Sequence, residues 1–158
     1  MDWPDARTHT RETMELEYYE SPTGDVNGVA LGTTVTFTKT VSESDIYLYA
    51  GITGDFSPNH INEEYMKGGQ YGGRIAHGTL LMGFMSAVSA RTRIGRSVSL
   101  GYDKVRFLKG VKPGDTVTTR YTVESIDKEK RRLTARVECV NQHDDVVAVA
   151  THIKMIVD

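Results

Sequence analysis

Gly78-Thr79-Leu80-Leu81-Met82-Gly83-Phe84-Met85-Ser86-Ala87-Val88-Ser89-Ala90 carries no charge and is flanked by His77 and Arg91. At about 13 residues it is too short to cross a bilayer as a helix, and a helix apolar on all sides belongs inside a core. From Ser97 onward the pattern is almost wholly that of strands, interrupted by turn signals at residues 110–115, 127–131 and 142–145, so four strands follow the helix. Leu133, Ala135, Val137 and Cys139 alternate, as do Val147, Val149, Thr151, Ile153, Met155 and Val157, and each such row predicts one apolar sheet face. The only long apolar element left to cover that face is the run 78–90. The expected class is therefore α+β: an antiparallel sheet wrapped around one buried helix.

Upstream, the stretch 33–41 places Val35, Phe37 and Val41 on alternate positions among threonines, which reads as a half-buried strand. Ser42, followed by Glu43 and Asp45 and then by Ile46, Leu48 and Tyr49, reads as a capped helix start. Gly54-Asp55-Phe56-Ser57-Pro58-Asn59-His60 reads as a loop entering a second helix, with Ser57 as its cap and Pro58 at its first position. Residues 1–28 are polar, have no period and end in a turn-rich run; they are expected to form an arm ahead of a single domain over 29–158.

The 158 residues suit one core. With 19 basic and 21 acidic residues, net charge -2, there is no broad positive field to draw nucleic acid or an anionic membrane. The charged amino terminus lacks the apolar core of a secretory signal, and no long uncharged run is present. A lone cysteine, Cys139, excludes an internal disulfide framework and suits a reducing compartment. A cytoplasmic protein is expected.

Three features bear on chemistry. Asp55 and His60 are a carboxylate and an imidazole separated by a loop-to-helix turn that can aim both at one water molecule, which is general acid/base chemistry. With Pro58 first in its helix, His60 lies near that helix's positive end, which favours the neutral ring. Gly78, at the start of the apolar helix, offers a backbone N–H where negative charge is stabilised, with no side chain to block approach. Ser86, eight residues on, falls on nearly the same helix face. Each also has a plain structural reading: Asp55 as a turn acceptor, His60 as a surface residue, Gly78 as a tight turn, Ser86 bonded to the preceding turn. His77 beside Gly78 makes a third donor near Asp55 and His60, but no compact ligand spacing points to a metal. Lys104, Arg106, Lys109 and Lys112 are candidates for phosphate contact, or a solvated face.

Taken together, Tyr49-Ala50-Gly51-Ile52-Thr53-Gly54-Asp55-Phe56-Ser57-Pro58-Asn59-His60 and Ile75-Ala76-His77-Gly78-Thr79-Leu80-Leu81 resemble the signature of MaoC-like, (R)-specific enoyl-CoA hydratases and 3-hydroxyacyl-CoA dehydratases. The likeness runs from about Gly32 to Val157, through Val105-Arg106-Phe107-Leu108-Lys109-Gly110-Val111-Lys112-Pro113-Gly114-Asp115. It implies the hotdog fold, a curled antiparallel sheet around a central helix. It also implies syn addition of water to a trans-2-enoyl-CoA without metal or redox cofactor, in a homodimer whose sheets join and whose substrate tunnel runs near the interface. Asp55 and His60 would then activate the water and Gly78 N–H polarise the thioester carbonyl, with Ser86, Asn59 and His77 in support. Ser57 stands where the family commonly has Asn, and Arg74 where several relatives carry Pro. Arg74 is expected to contact CoA or an acidic acyl chain. A hotdog thioesterase is the enzymatic alternative, although the run 78–90 lacks the helix carboxylate many of them use. A hotdog module that binds acyl-CoA without turnover is the non-enzymatic one.

Overall fold

The alternation at residues 133–139 marks the middle of the sheet. In the computed structural model, which describes residues 28–157, Leu133, Ala135, Val137 and Cys139 are all fully buried. They lie on β4 (Arg132–Val140), which pairs antiparallel with β3 (Thr116–Asp127) on one side and β5 (Val146–Ile156) on the other. The edges are β1 (Thr34–Thr40) against β3 and β2 (Ser97–Phe107) against β5, giving one five-stranded sheet of order β1-β3-β4-β5-β2. The four strands expected after the apolar run are therefore present. Burial pushes the Cys139 thiol up to about 11, away from the thiolate form.

The apolar run forms α4 (Gly78–Ser89), which packs across β1, β3 and β4. Its inward stripe is Leu81, Phe84, Met85 and Val88, the i, i+3, i+4, i+7 spacing of a core-facing helix. It meets Val117, Tyr121 and Val123 of β3 and the inward row of β4. The expectation that this helix is buried on every side is corrected: Thr79, Gly83, Ser86 and Ala87 are exposed along its opposite face. One sheet covers only one side of a helix, and the small side chains occupy the side left over.

The inward row of β5 is corrected too. Ala148, Ala150, His152, Lys154 and Ile156 are buried, whereas Val149, Thr151, Ile153 and Met155 are only partly so. Both Val147 and Ala148 are buried, and β4 and β5 slip register between Cys139 and Val140; that irregularity moves the even positions inward. The inward polar groups are satisfied. His152 bonds Tyr121 Oη through Nδ1 at 2.9 Å and Ser99 Oγ through Nε2 at 2.8 Å, and Lys154 Nζ donates to the Ser89 carbonyl at 3.0 Å, closing the end of α4.

Upstream, α1 (Glu43–Thr53) begins with the expected capping box, in which Ser42 and Asp45 satisfy each other's backbone. It buries Ile46 and Ala50 but leaves Leu48 exposed. Gly54 ends it at φ 78°, its N–H returning to the Ala50 carbonyl, a left-handed cap that an L side chain enters only with strain. Two single turns follow, α2 (Pro58–Ile61) and α3 (Glu63–Met66). The arm expected over residues 1–28 lies outside the described residues except for Gly28. Among the described residues, no helix is long and apolar enough to cross a membrane.

Candidate active site

The left-handed turn at Gly54 delivers Asp55 into a loop whose first act is to hold its own carboxylate. Asp55 Oδ1 accepts the Ser57 backbone N–H at 3.1 Å and the Ser57 hydroxyl at 2.5 Å, an Asx-type turn closed twice. Ser57 therefore does not cap α2, as expected from the sequence; its hydroxyl is committed to Asp55 and makes no cap bond. These two bonds are the main reason the Asp55 carboxyl sits below the usual carboxylate range. Oδ1 is anchored, and Oδ2 faces His60 Nε2 across 3.8 Å. That separation is too long for a direct hydrogen bond.

His60 is buried, and its ring is oriented from behind. Nδ1 donates to the Ile75 carbonyl at 2.8 Å, while Asn59 Nδ2 lies 3.2 Å from Nε2. A carbonyl only accepts, so Nδ1 carries a proton, and Nε2, on the Asp55 side, accepts from the Asn59 amide N–H. α2 is a single turn, too short for the helix-terminus effect expected from the sequence, and the Ile75 carbonyl sets which ring nitrogen carries a proton. His77, 1% exposed, stacks on His60 with centroids 3.8 Å apart and donates through Nε2 to the Asp55 carbonyl at 2.9 Å. It thus touches both members of the pair.

Donor atoms of Asp55, His60 and His77 fall within 4.8 Å of one another, close enough to raise the question of a metal. The two rings are stacked at 29°, so their in-plane lone pairs run side by side. His60 Nδ1 and His77 Nε2 are engaged, which leaves His60 Nε2, Asp55 Oδ2 and His77 Nδ1, the last buried without a hydrogen-bond partner.

Gly78 opens α4, so its N–H has no partner within the helix. Together with Asn59, His60, Ile75, Leu81 and Phe107 it lines a cavity of about 220 Å³. Sequence reasoning missed Phe107: a Cβ on Gly78 would lie 2.8 Å from its ring. Gly78 thus makes room for an aromatic ring as well as for any ligand.

The structure does not bring every expected residue here. Ser86 is exposed and does not line the cavity, because the stripe of α4 that packs inward runs through Phe84 and Met85. Lys104 and Arg106 are exposed on β2 and do not reach the cavity either, whereas Lys109 lines its wall and pairs with Asp145 at 2.5 Å. Arg74 is no free cation: Glu43 and Glu63 hold it.

The MaoC like domain matches residues 25–147. The chain belongs to the MaoC-like family. Among curated relatives of this MaoC-like chain, the (R)-specific enoyl-CoA hydratase of Rhodospirillum rubrum is 41% identical over 81% of the chain and 84% of that protein. The 3-hydroxybutyryl-CoA dehydratase of Methylorubrum extorquens is 33% identical over 75% and 74% respectively. Among solved structures, the unliganded R-hydratase of Pseudomonas aeruginosa superposes with a TM-score of 0.74 at 29% identity, covering 81% of this chain and 82% of that one. The sheet curled around α4 is accordingly the hotdog fold.

Proposed function

We propose that this MaoC-like protein is a hydro-lyase that reversibly adds water across the double bond of a trans-2-enoyl-CoA, giving the (R)-3-hydroxyacyl-CoA. The observation that carries the reading is the 3.8 Å gap between Asp55 Oδ2 and His60 Nε2, two proton acceptors aimed at one place. A water oxygen about 2.8 Å from each donates one hydrogen to the carboxylate and, taking the place of the 3.2 Å contact from Asn59 Nδ2, one to the ring nitrogen. Relatives named as an enoyl-CoA hydratase and a hydroxybutyryl-CoA dehydratase support the same chemistry.

With the thioester carbonyl directed at Gly78 N–H and the double bond beside the water, the oxygen forms its bond to the β-carbon. Its proton passes to the Asp55/His60 pair, and the π electrons move toward the thioester oxygen, where the unpartnered N–H stabilises the enolate. The protonated pair returns the proton to the α-carbon on the face that received the hydroxyl, which makes the addition syn. No electron is transferred overall, so the proposed reaction calls for no redox cofactor, and the stacked imidazoles work without a metal.

A second copy of the chain is the partner we propose beside the acyl-CoA. The edge strand β2 exposes Val98 (43%) and Leu100 (45%); an apolar unpaired edge is a site for strand pairing. The proposed setting is cytoplasmic. Incubation of the purified protein with crotonyl-CoA tests the reaction: the conjugated enoyl absorbance disappears and chiral analysis finds (R)-3-hydroxybutyryl-CoA. Free CoA in place of the hydroxy product indicates a thioesterase and refutes the proposal, as does binding of enoyl-CoAs without turnover.

A further inference from the structure

Arg74 carries a guanidinium whose side chain is only 12% exposed, and it is surrounded by acceptors. Nη2 and Nη1 grip the Glu43 carboxylate at 2.7 and 3.1 Å, Nε reaches Glu63 at 3.1 Å, and Nη1 also meets the Tyr47 hydroxyl at 3.3 Å. The backbone N–H of Arg74 donates to the same Glu63 oxygen at 3.1 Å. Both carboxylates are committed to the one guanidinium and Lys112 also acts on Glu63, so Arg74 is not a free cation for a CoA phosphate or a carboxylated acyl chain. A forked grip on Glu43 in particular fixes orientation as well as distance. The clamp joins α1, α3 and the segment that leads into α4.

That segment is short and every residue in it is tied. After Arg74, Ile75 N–H donates to the Asn59 carbonyl at 3.1 Å and Ala76 N–H to the Val111 carbonyl at 2.7 Å. Between these two bonds stands the Ile75 carbonyl, the group that receives His60 Nδ1–H. The carbonyl that decides which nitrogen of His60 carries the proton is therefore one residue from a side chain locked in place by two carboxylates on separate helical turns.

We infer that Arg74 is a positioning residue that, through its Glu43–Glu63 clamp, holds the Ile75 carbonyl where it keeps His60 in the Nδ1–H tautomer with Nε2 facing Asp55. The inference rests on the proposed role of His60 and replaces the substrate contact expected from the sequence. Misplacement of a catalytic group by about 1 Å costs on the order of a hundredfold in rate, so release of the clamp acts on turnover and not on binding.

Steady-state kinetics on crotonyl-CoA and ¹⁵N NMR of the histidine rings, for the wild type, Arg74→Ala and Arg74→Lys, test this. Arg74→Ala is expected to lower kcat between about ten- and a hundredfold with KM within about twofold, and its His60 spectrum to change from the pure Nδ1–H form to mixed tautomers. Arg74→Lys keeps the cation and is expected to recover part of both. A raised KM with kcat unchanged makes Arg74 a substrate contact and overturns the inference. So does a lowered Tm with kcat and His60 spectrum unchanged, which makes the clamp merely structural. Should Arg74→Ala not fold, Glu43→Gln loosens one side of the clamp and must show the same tautomer mixing, its absence overturning the inference. The spectra stand apart from turnover: an inactive wild type with a pure Nδ1–H His60 that mixes in Arg74→Ala sinks the hydratase reading and leaves the clamp intact.

Discussion

Asp55→Asn separates the chemistry of the site from its architecture. Asp55 Oδ1 holds its place by accepting the Ser57 N–H and hydroxyl at 3.1 and 2.5 Å, and the carbonyl oxygen of an asparagine accepts both. The side chain is therefore expected to stay put, with an NH₂ replacing the Oδ2 that faces His60 Nε2 across 3.8 Å. At that point an acceptor becomes a donor, and a water held there loses one of its two proton acceptors. General acid/base groups contribute about 10²–10⁴ in rate, so kcat for crotonyl-CoA hydration should fall by that factor, about 2.7–5.5 kcal/mol at 1.36 kcal/mol per tenfold. Because Asp55 is partly exposed and both turn bonds survive, stability measured by urea unfolding should change by less than about 0.5 kcal/mol, and KM should stay within about twofold. The deciding measurement is the double variant with His60→Gln. If the two side chains act on one water, removing both costs little more than removing either. Losses that multiply, or an Asp55→Asn enzyme keeping more than a tenth of wild-type kcat, refute the shared-water geometry.

Three further outcomes are expected. In Gly78→Ala the new methyl lies 2.8–2.9 Å from three carbons of the Phe107 ring, against about 3.5 Å for normal contact. Half-exposed Phe107 can yield, so the fold should survive while hydration slows at least about tenfold; wild-type kinetics would show that neither the ring nor the N–H matters. His152 is pushed down to about 4 by burial, so below about 6.5 the unfolded chain takes up its proton before the folded one does. Stability should therefore fall as pH drops from 6.5 toward 4, by at most about 3 kcal/mol. The lowered carboxylates at Asp55, Glu63 and Asp127 act near and below 4, so a His152→Asn variant that keeps the slope between pH 6.5 and 5 in urea titrations contradicts this. Finally, Leu100→Lys on the free β2 edge should halve the mass seen in sedimentation velocity if a second copy pairs there. An unchanged mass places any interface elsewhere.

What could be read from the sequence and what could not divide along a physical line. Patterns carried by many residues at once survive folding: the alternation of Leu133 to Cys139 is the buried row of β4, and the Ser42–Asp45 box starts α1 as expected. Both depend on local periodicity or on contacts three residues apart, which a sequence displays directly. Readings that hung on where one side chain turns fared differently. Ser57 had two satisfactory local partners, the α2 backbone and the Asp55 carboxylate, and spacing cannot choose between them; the charged acceptor took it. On β5 one irregularity exchanged the two faces, and the more apolar row lost to His152 and Lys154 because their acceptors, Tyr121 and the end of α4, come from distant segments. Arg74 is the sharpest case. As a lone charge beside a proposed site it reads as a ligand for substrate, and only the fold brings Glu43, 31 positions away, and Glu63, 11 positions away, onto the same guanidinium. The proposed catalytic pair was legible because Asp55 and His60 are joined by one short loop-to-helix turn. The groups that orient the pair, Ile75 by its carbonyl and His77 by its ring, arrive from the other side of that fold, and long-range placement of this kind leaves no periodic trace in a single chain.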